Sequence, residues 1–163
     1  MESGDFLTLL LALSSAGVEF VLVGGLAAAL NGATNQTIDL DIVPARNEGN
    51  LTKLLNVLDS VDAIFRIQPS RRMKPNMSHL QSIGHKNLIT RFGPLDVLGT
   101  IGRGLSYEDL LPHSIEMEIG DGVRVRVLDL ATIIAIKEEL GSEKDLAVLP
   151  LLRRALKDKP RPS

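Results

Sequence analysis

Gly24-Gly25-Leu26-Ala27-Ala28-Ala29-Leu30-Asn31-Gly32, followed a few residues later by Thr37-Ile38-Asp39-Leu40-Asp41-Ile42-Val43, is the stretch whose reading decides the fold. In its second half apolar and acidic residues alternate, the period of an extended strand, which sends Asp39 and Asp41 to the same face. Their Cα atoms are expected ~6.5 Å apart, because a strand rises ~3.3 Å per residue. Two carboxylates at that spacing repel each other unless a cation lies between them, and hard oxygen ligands of this kind suit Mg²⁺ or Mn²⁺. A solvated strand face would show the same alternation, so the neighbouring sequence has to choose between the two readings.

The first half of the stretch favours the metal. Residues 20–23 read as a buried strand, Gly24-Gly25 as a tight turn, and residues 26–30 as a helix ended by Asn31-Gly32. A glycine turn feeding a helix N-terminus exposes backbone N–H groups and a partial positive charge, which suits phosphate oxygens. Glycines also occur in such connections for steric reasons alone. Further on, Gly93-Pro94-Leu95-Asp96-Val97-Leu98 sets a third aspartate inside an apolar run. The combination makes Asp39, Asp41 and Asp96 a candidate two-metal site beside a phosphate-binding turn.

Composition bounds the remaining possibilities. The 163 residues, 44% hydrophobic and 23% charged, suffice for one globular core, and the absence of cysteine excludes disulfides, thiolate zinc sites and cysteine nucleophiles. No apolar run approaches the ~18 residues of a membrane span, and the acidic amino terminus lacks the basic start of a signal peptide. A cytoplasmic protein is expected. The net charge of −2 is too small to argue for general adhesion to nucleic acid. Its distribution is informative: residues 63–95 contain no Asp or Glu, while Arg66, Arg71, Arg72, Lys74, Lys86 and Arg91 are all basic. Such a segment between acidic strands could close over a triphosphate, or be a solvated basic loop.

Along the chain, helices are expected over 5–16, 26–30, 47–58, 130–140 and 143–156 from their apolar spacing, with Asn47 as a cap. Strands are expected over 20–23, 38–43 and 63–67. A proline-containing basic loop over 68–78 leads to a hairpin of 87–92 with 95–100 around Gly93-Pro94. Residues 115–119 and 123–128 form a second hairpin through Gly120-Asp121-Gly122. The fold class is therefore α/β: a mixed sheet flanked by helices, in one domain over 1–156 with a frayed tail over 157–163. Asp62, Asp109, Asp121 and Asp129 fall at turns or helix starts and read as caps. His79, His85 and His113 lack the spacing of a shared metal site.

Gly24-Gly25, Gly32, the Thr37-Ile38-Asp39-Leu40-Asp41 strand and the later Asp96 together resemble the nucleotidyltransferase superfamily that includes polymerase beta. The branch most similar in pattern is that of small bacterial MNT-type and abortive-infection nucleotidyltransferases. The resemblance runs from about Phe20 to Leu152, taking in Ile136-Lys137 and Gly141-Ser142-Glu143-Lys144-Asp145, which look like that branch's lysine helix and Lys-Asp element. It implies a metal-dependent enzyme that transfers a nucleoside monophosphate from an NTP to a hydroxyl acceptor on RNA, a protein or a small molecule. It also implies a toxin role with an antitoxin protein as partner.

The same resemblance implies that Asp39, Asp41 and Asp96 hold the metal and perform catalysis. Gly24, Gly25, Thr37 and Lys137 would bind nucleotide, although threonine suits any strand and Lys137 could instead form an ordinary helical salt bridge. The acid-free stretch, independently of the resemblance, adds Arg71, Arg72 and Lys74 as residues that would close over the triphosphate. Two positions depart from the branch. Asn35 stands where an arginine is common, and Gly25 where many members have serine. These departures keep a second expectation open, a nucleotidyltransferase-like binding or regulatory module without turnover.

Overall fold

Alternating blocks of Leu/Ala-rich and β-branched sequence sort the chain into helices that each bury one apolar face against a sheet. The computed structural model describes residues 5–33 and 39–159. Helix α1 (Phe6–Ser15) is capped by Asp5, whose carboxylate accepts from Thr8 N at 3.0 Å, and it buries Leu9, Leu10 and Leu13. Strand β1 (Phe20–Val23) is buried throughout and runs directly into α2 (Gly24–Leu30), which ends at Asn31. The glycines expected to form a turn ahead of this helix are thus its first two residues. Gly24 has φ +74°, and this left-handed residue turns the chain straight from strand to helix.

Strand β2 (Leu40–Pro44) follows, and Asp39 lies immediately before it rather than within it. Asn35, Thr37 and Ile38 fall outside the described residues. Next come α3 (Glu48–Ser60), capped as expected by Asn47, and the short edge strand β3 (Ile64–Phe65). Within the segment expected to be loop, a 3₁₀ turn spans Pro69–Arg71 and helix α4 spans Met77–Gln81. Asn76 and His79 close α4 with reciprocal bonds of 3.0 Å.

Strands β4 (Lys86–Thr90) and β5 (Gly93–Val97) form the first hairpin, but its turn is Arg91-Phe92, and Gly93-Pro94 belongs to β5. Proline is tolerated there because the neighbouring strand β2 begins at Leu40, opposite Leu95, so no ladder bond is required of Pro94 on that side. Helix α5 (Tyr107–Leu110) was not expected from the apolar pattern. Strands β6 (Ser114–Gly120) and β7 (Val123–Leu128) form the second hairpin, and helices α6 (Leu130–Leu140) and α7 (Glu143–Asp158) complete the chain. Helix α7 continues past the expected end at 156, and Lys159 Nζ donates to the buried Asn31 side chain. The last four residues of the expected tail lie outside the described residues.

The seven strands make one mixed sheet in the order β3-β4-β5-β2-β1-β7-β6. β2/β5 and β1/β7 are parallel; the other neighbours are antiparallel. Helix α2 covers β1 and β2 and carries α6, on which α7 lies; α1 meets β7 and α3, and α3 meets α4. Among the described residues no helix is long and apolar enough to cross a membrane.

Asn50 fixes the start of β1 to the end of β2. Its amide accepts from Glu19 N at 2.7 Å and donates to Glu19 O at 2.9 Å and Ala45 O at 2.7 Å, all beneath α3. Replacing Asn50 with alanine removes all three bonds; Glu19 O still accepts from Ala45 N at 3.1 Å, while Glu19 N and Ala45 O lose the Asn50 amide. Thermal unfolding of Asn50→Ala should show a loss of about 3 kcal/mol, or roughly 6–12 °C in Tm, at ~1 kcal/mol per bond.

Candidate active site

The two central parallel strands bring the acidic residues together. Asp41 pairs in register with Asp96 across β2 and β5, so their side chains leave the same face of the sheet side by side. Asp39, two residues before Asp41, joins them from the strand entry. One carboxylate oxygen from each of Asp39, Asp41 and Asp96 lies within 4.8 Å of the others. The strand-face argument from sequence therefore describes the geometry of Asp41, while Asp39 reaches the same cluster from just outside the ladder.

Such crowding has an electrostatic consequence. Burial pushes the Asp41 carboxyl up to about 8, helped by a hydrogen bond to Asp96 and by the charges of Asp96 and Asp39, with Arg66 pulling the other way. Arg66 lies just beyond β3. Its Nη2 donates to Asp96 Oδ1, its Nη1 donates to Leu88 O at 3.2 Å, and Nη1 stands 3.9 Å from Asp39 Oδ1. One guanidinium thus faces three carboxyls. From sequence, Arg66 was one of six cations in an acid-free segment; only the sheet order, which sets β3 two strands from β5, shows that it alone reaches the triad.

The glycine turn closes the other side of the site. A Cβ on Gly24 would lie 2.0 Å from Asp41 Oδ2 and 2.9 Å from its Cγ. The carboxylate occupies the space that a side chain would fill, against the first turn of α2, where no side chain caps the helix. Gly25 follows in the same turn, half-buried. A donor set of three hard oxygens, cradled against a helix start, fits a divalent cation.

Other residues singled out from sequence are placed elsewhere. Arg71, Arg72 and Lys74 are exposed on the loop leaving β3, with Arg71 bonded to Gln68 at 3.3 Å and Lys74 paired with Asp59 at 3.4 Å. Lys86, next to the position facing Asp96, points to the opposite face, is buried, and donates to Ser82 O. Arg91 pairs with Asp62 at 3.7 Å, near the turn joining β4 to β5. The acid-free segment is therefore not one basic patch. Lys137 Nζ bonds Asp145 Oδ1 at 3.2 Å and ties α6 to α7, the ordinary ion pair left open by the sequence. His79 caps α4 and meets Phe65 edge-on at 4.8 Å.

The architecture is shared with known proteins. A candidate nucleotidyltransferase from Thermotoga maritima superposes with a TM-score of 0.55 over 94% of this chain and 91% of that one, at 17% identity. The lincosamide antibiotic adenylyltransferase LnuA, in its lincomycin-bound structure, gives a TM-score of 0.58 over 95% and 99%, at 12% identity. The chain has the nucleotidyltransferase fold. No protein-family model and no curated protein sequence matches the chain, so this likeness is one of three-dimensional structure.

Asp41 links stability to pH. Its folded-state value of about 8 lies above the ordinary 3.8, so the folded protein keeps a proton that the unfolded chain releases. The stabilisation is complete below the ordinary value and is lost as pH rises through about 8. Differential scanning calorimetry of the metal-free protein should show Tm falling by several degrees from about pH 5 to about pH 8.5. Asp41→Asn should remove that component of the slope. Saturating Mn²⁺ should raise Tm most at the alkaline end, where it need not displace a proton.

Proposed function

We propose that this protein is a divalent-cation-dependent nucleotidyltransferase that moves a nucleoside monophosphate from an NTP to a hydroxyl acceptor. The observation that carries the reading is the convergence of Asp39, Asp41 and Asp96 within 4.8 Å, on the central strands of a nucleotidyltransferase fold. These three carboxylates would hold Mg²⁺ or Mn²⁺, which when bound offsets phosphate charge and makes a hydroxyl easier to deprotonate.

The chain's own groups have separable tasks in this reading. Asp39, Asp41 and Asp96 fix the position of the reacting phosphate by fixing the cation. Asp96 takes the proton of the acceptor hydroxyl on a carboxylate oxygen as the acceptor oxygen bonds to the α-phosphorus; the bond from that phosphorus to the bridging oxygen breaks, and pyrophosphate leaves. Gly24 and Gly25 present main-chain N–H groups to the phosphates, supported by the uncapped start of α2 against Asp41. Arg71, Arg72 and Lys74 close over the triphosphate from their exposed loop, and Thr37 and Lys137 contribute to nucleotide binding. Positioning and electrostatics supply most of the acceleration in such transfers.

Any acceptor must present a hydroxyl oxygen at Asp96, whether it is RNA, a protein side chain or a small compound. The structural likeness to a lincosamide adenylyltransferase supports including small hydroxylated compounds. The toxin role implied by the sequence resemblance adds a growth readout, with an antitoxin protein as the partner that relieves it.

Turnover decides the proposal. Incubation with Mg²⁺ or Mn²⁺, each labelled NTP and cell extract should label an acceptor and release pyrophosphate. Asp39→Ala and Asp96→Ala should lower the rate at least about a hundredfold, the scale of removing one electrostatic element of a transfer site, with unchanged circular dichroism. Expression of wild type, but not of Asp96→Ala, should slow growth if the product is toxic. A wild-type chain that binds nucleotide yet labels nothing is a binding module instead of an enzyme.

A separate test addresses the phosphate cradle. The Arg71→Ala, Arg72→Ala double variant should bind NTP more weakly and with less dependence on salt in fluorescence titrations. Unchanged affinity would make the loop a solvated one.

A further inference from the structure

Arg66 distinguishes this site from a bare carboxylate cluster. Its backbone N–H donates to Asn87 O at 2.9 Å, which fixes its Cα beside β4. From there the guanidinium reaches across β4 to Asp96 on β5, and towards Asp39. The span is about two strand separations, ~10 Å, which the arginine and aspartate side chains cover between them. The arm is thus anchored at its base by main-chain pairing, while its charged end is held by the site.

A guanidinium and a divalent cation seek the same lone pairs. The Asp96 side chain is only 12% exposed, and one of its oxygens already accepts from Arg66. A cation approaching the triad meets a positive group on the ligand most enclosed by protein. Arg66 itself is 28% exposed, and beside it Asn87 on β4 and Ile67 just beyond β3 are open to solvent, so its tip has room on the solvent side. On that side a phosphate is the ligand that matches a planar fork of N–H donors.

We propose that Arg66 is the built-in counter-cation of the site: it neutralises Asp96 and Asp39 in the metal-free protein, competes with the incoming divalent cation, and once displaced turns onto the nucleotide phosphates. The inference rests on the metal-and-nucleotide reading above and adds the order of events. Arginine suits both positions because it stays charged at every relevant pH and pairs with carboxylate or phosphate by the same fork.

Direct Mn²⁺ binding, read by the electron paramagnetic resonance signal of the free ion, tests the first half without turnover. Nucleotide-free Arg66→Gln should bind Mn²⁺ about tenfold more tightly than wild type, the scale of one charge-assisted hydrogen bond no longer in competition. At saturating Mn²⁺ the same variant should bind a non-hydrolysable NTP analogue about tenfold more weakly. Equal or weaker Mn²⁺ binding by Arg66→Gln overturns the competition and makes Arg66 a brace for the carboxylates. Unchanged nucleotide affinity overturns the transfer onto phosphate. If Arg66→Gln does not fold, Arg66→Met takes its place: it removes the charge while keeping an unbranched stem, and Mn²⁺ affinity no higher than wild type overturns the proposal. Mn²⁺ binding by the variant alone supports the competition. Failure of both folded proteins to bind Mn²⁺ overturns this inference and the metal reading together, whereas wild-type binding with no gain in the variant overturns this inference alone.

Discussion

The in-register parallel pairing of Asp41 with Asp96 is the constraint on which the rest of the site depends. Parallel partners at one register position share a sheet face, so the backbone hydrogen bonds of β2 and β5 force two carboxyls together. Asp39 adds a third within 4.8 Å. The surroundings answer that crowding in three ways: Asp41 holds a proton, Arg66 supplies a guanidinium, and Gly24 withholds a side chain where the Asp41 oxygen must lie. Each response is intelligible as preparation for a cation, because each keeps an unfavourable cluster intact without occupying its centre with carbon.

The frame that holds this cluster is apolar and well satisfied. Leu40, Ile42, Leu95 and Val97 alternate with the acidic positions and are buried on the other side of the sheet, which pins the register: a slip of one residue would turn the aspartates into the apolar core and the leucines to the site. Asn50 and Asn31 serve as internal ties, the first joining β1 to the end of β2 and the second joining the end of α2 to Leu128 O at 3.0 Å. Among the described residues no buried side-chain polar atom lacks a hydrogen-bond partner. The carboxylates, where function is proposed, by contrast crowd like charges together, as expected when a stable scaffold carries a locally unfavourable site.

Much of the fold was legible because local signals agreed with tertiary packing. The caps Asn47 and Asp129 begin α3 and α6 as their sequences suggest, and Asp121-Gly122 turns the β6–β7 hairpin. Disagreements arose where a glycine or proline had more than one use. Gly24-Gly25 reads as a turn in sequence but opens a helix, and Gly93-Pro94 reads as a turn but begins a strand, because Gly93 and Pro94 pair with Thr90 and Ile89 of β4. Helix α5 is not legible from apolar spacing, but Ser106 N and Oγ both donate to Asp109 Oδ2, at 2.9 and 3.0 Å, and a serine three residues before an acid is a helix-start signal that reveals it.

By itself the sequence determined which residue types were available: three aspartates on apolar strands, a double glycine between strand and helix, and a basic stretch without acids. Periodicity also determined which strand face Asp41 would take, since that depends on residues two apart. The tertiary structure decided what those residues meet. Only the sheet order shows that Asp96 neighbours Asp41, that Arg66 alone of the basic segment reaches the triad, and that Lys86 is turned to the opposite face while Lys137 is engaged by Asp145. The physical reason is that the pairings that build the triad, Asp41 with Asp96 and Arg66 with Asp96, join residues tens of positions apart. They follow from how buried strands align to satisfy the backbone and the core together, which no local pattern encodes.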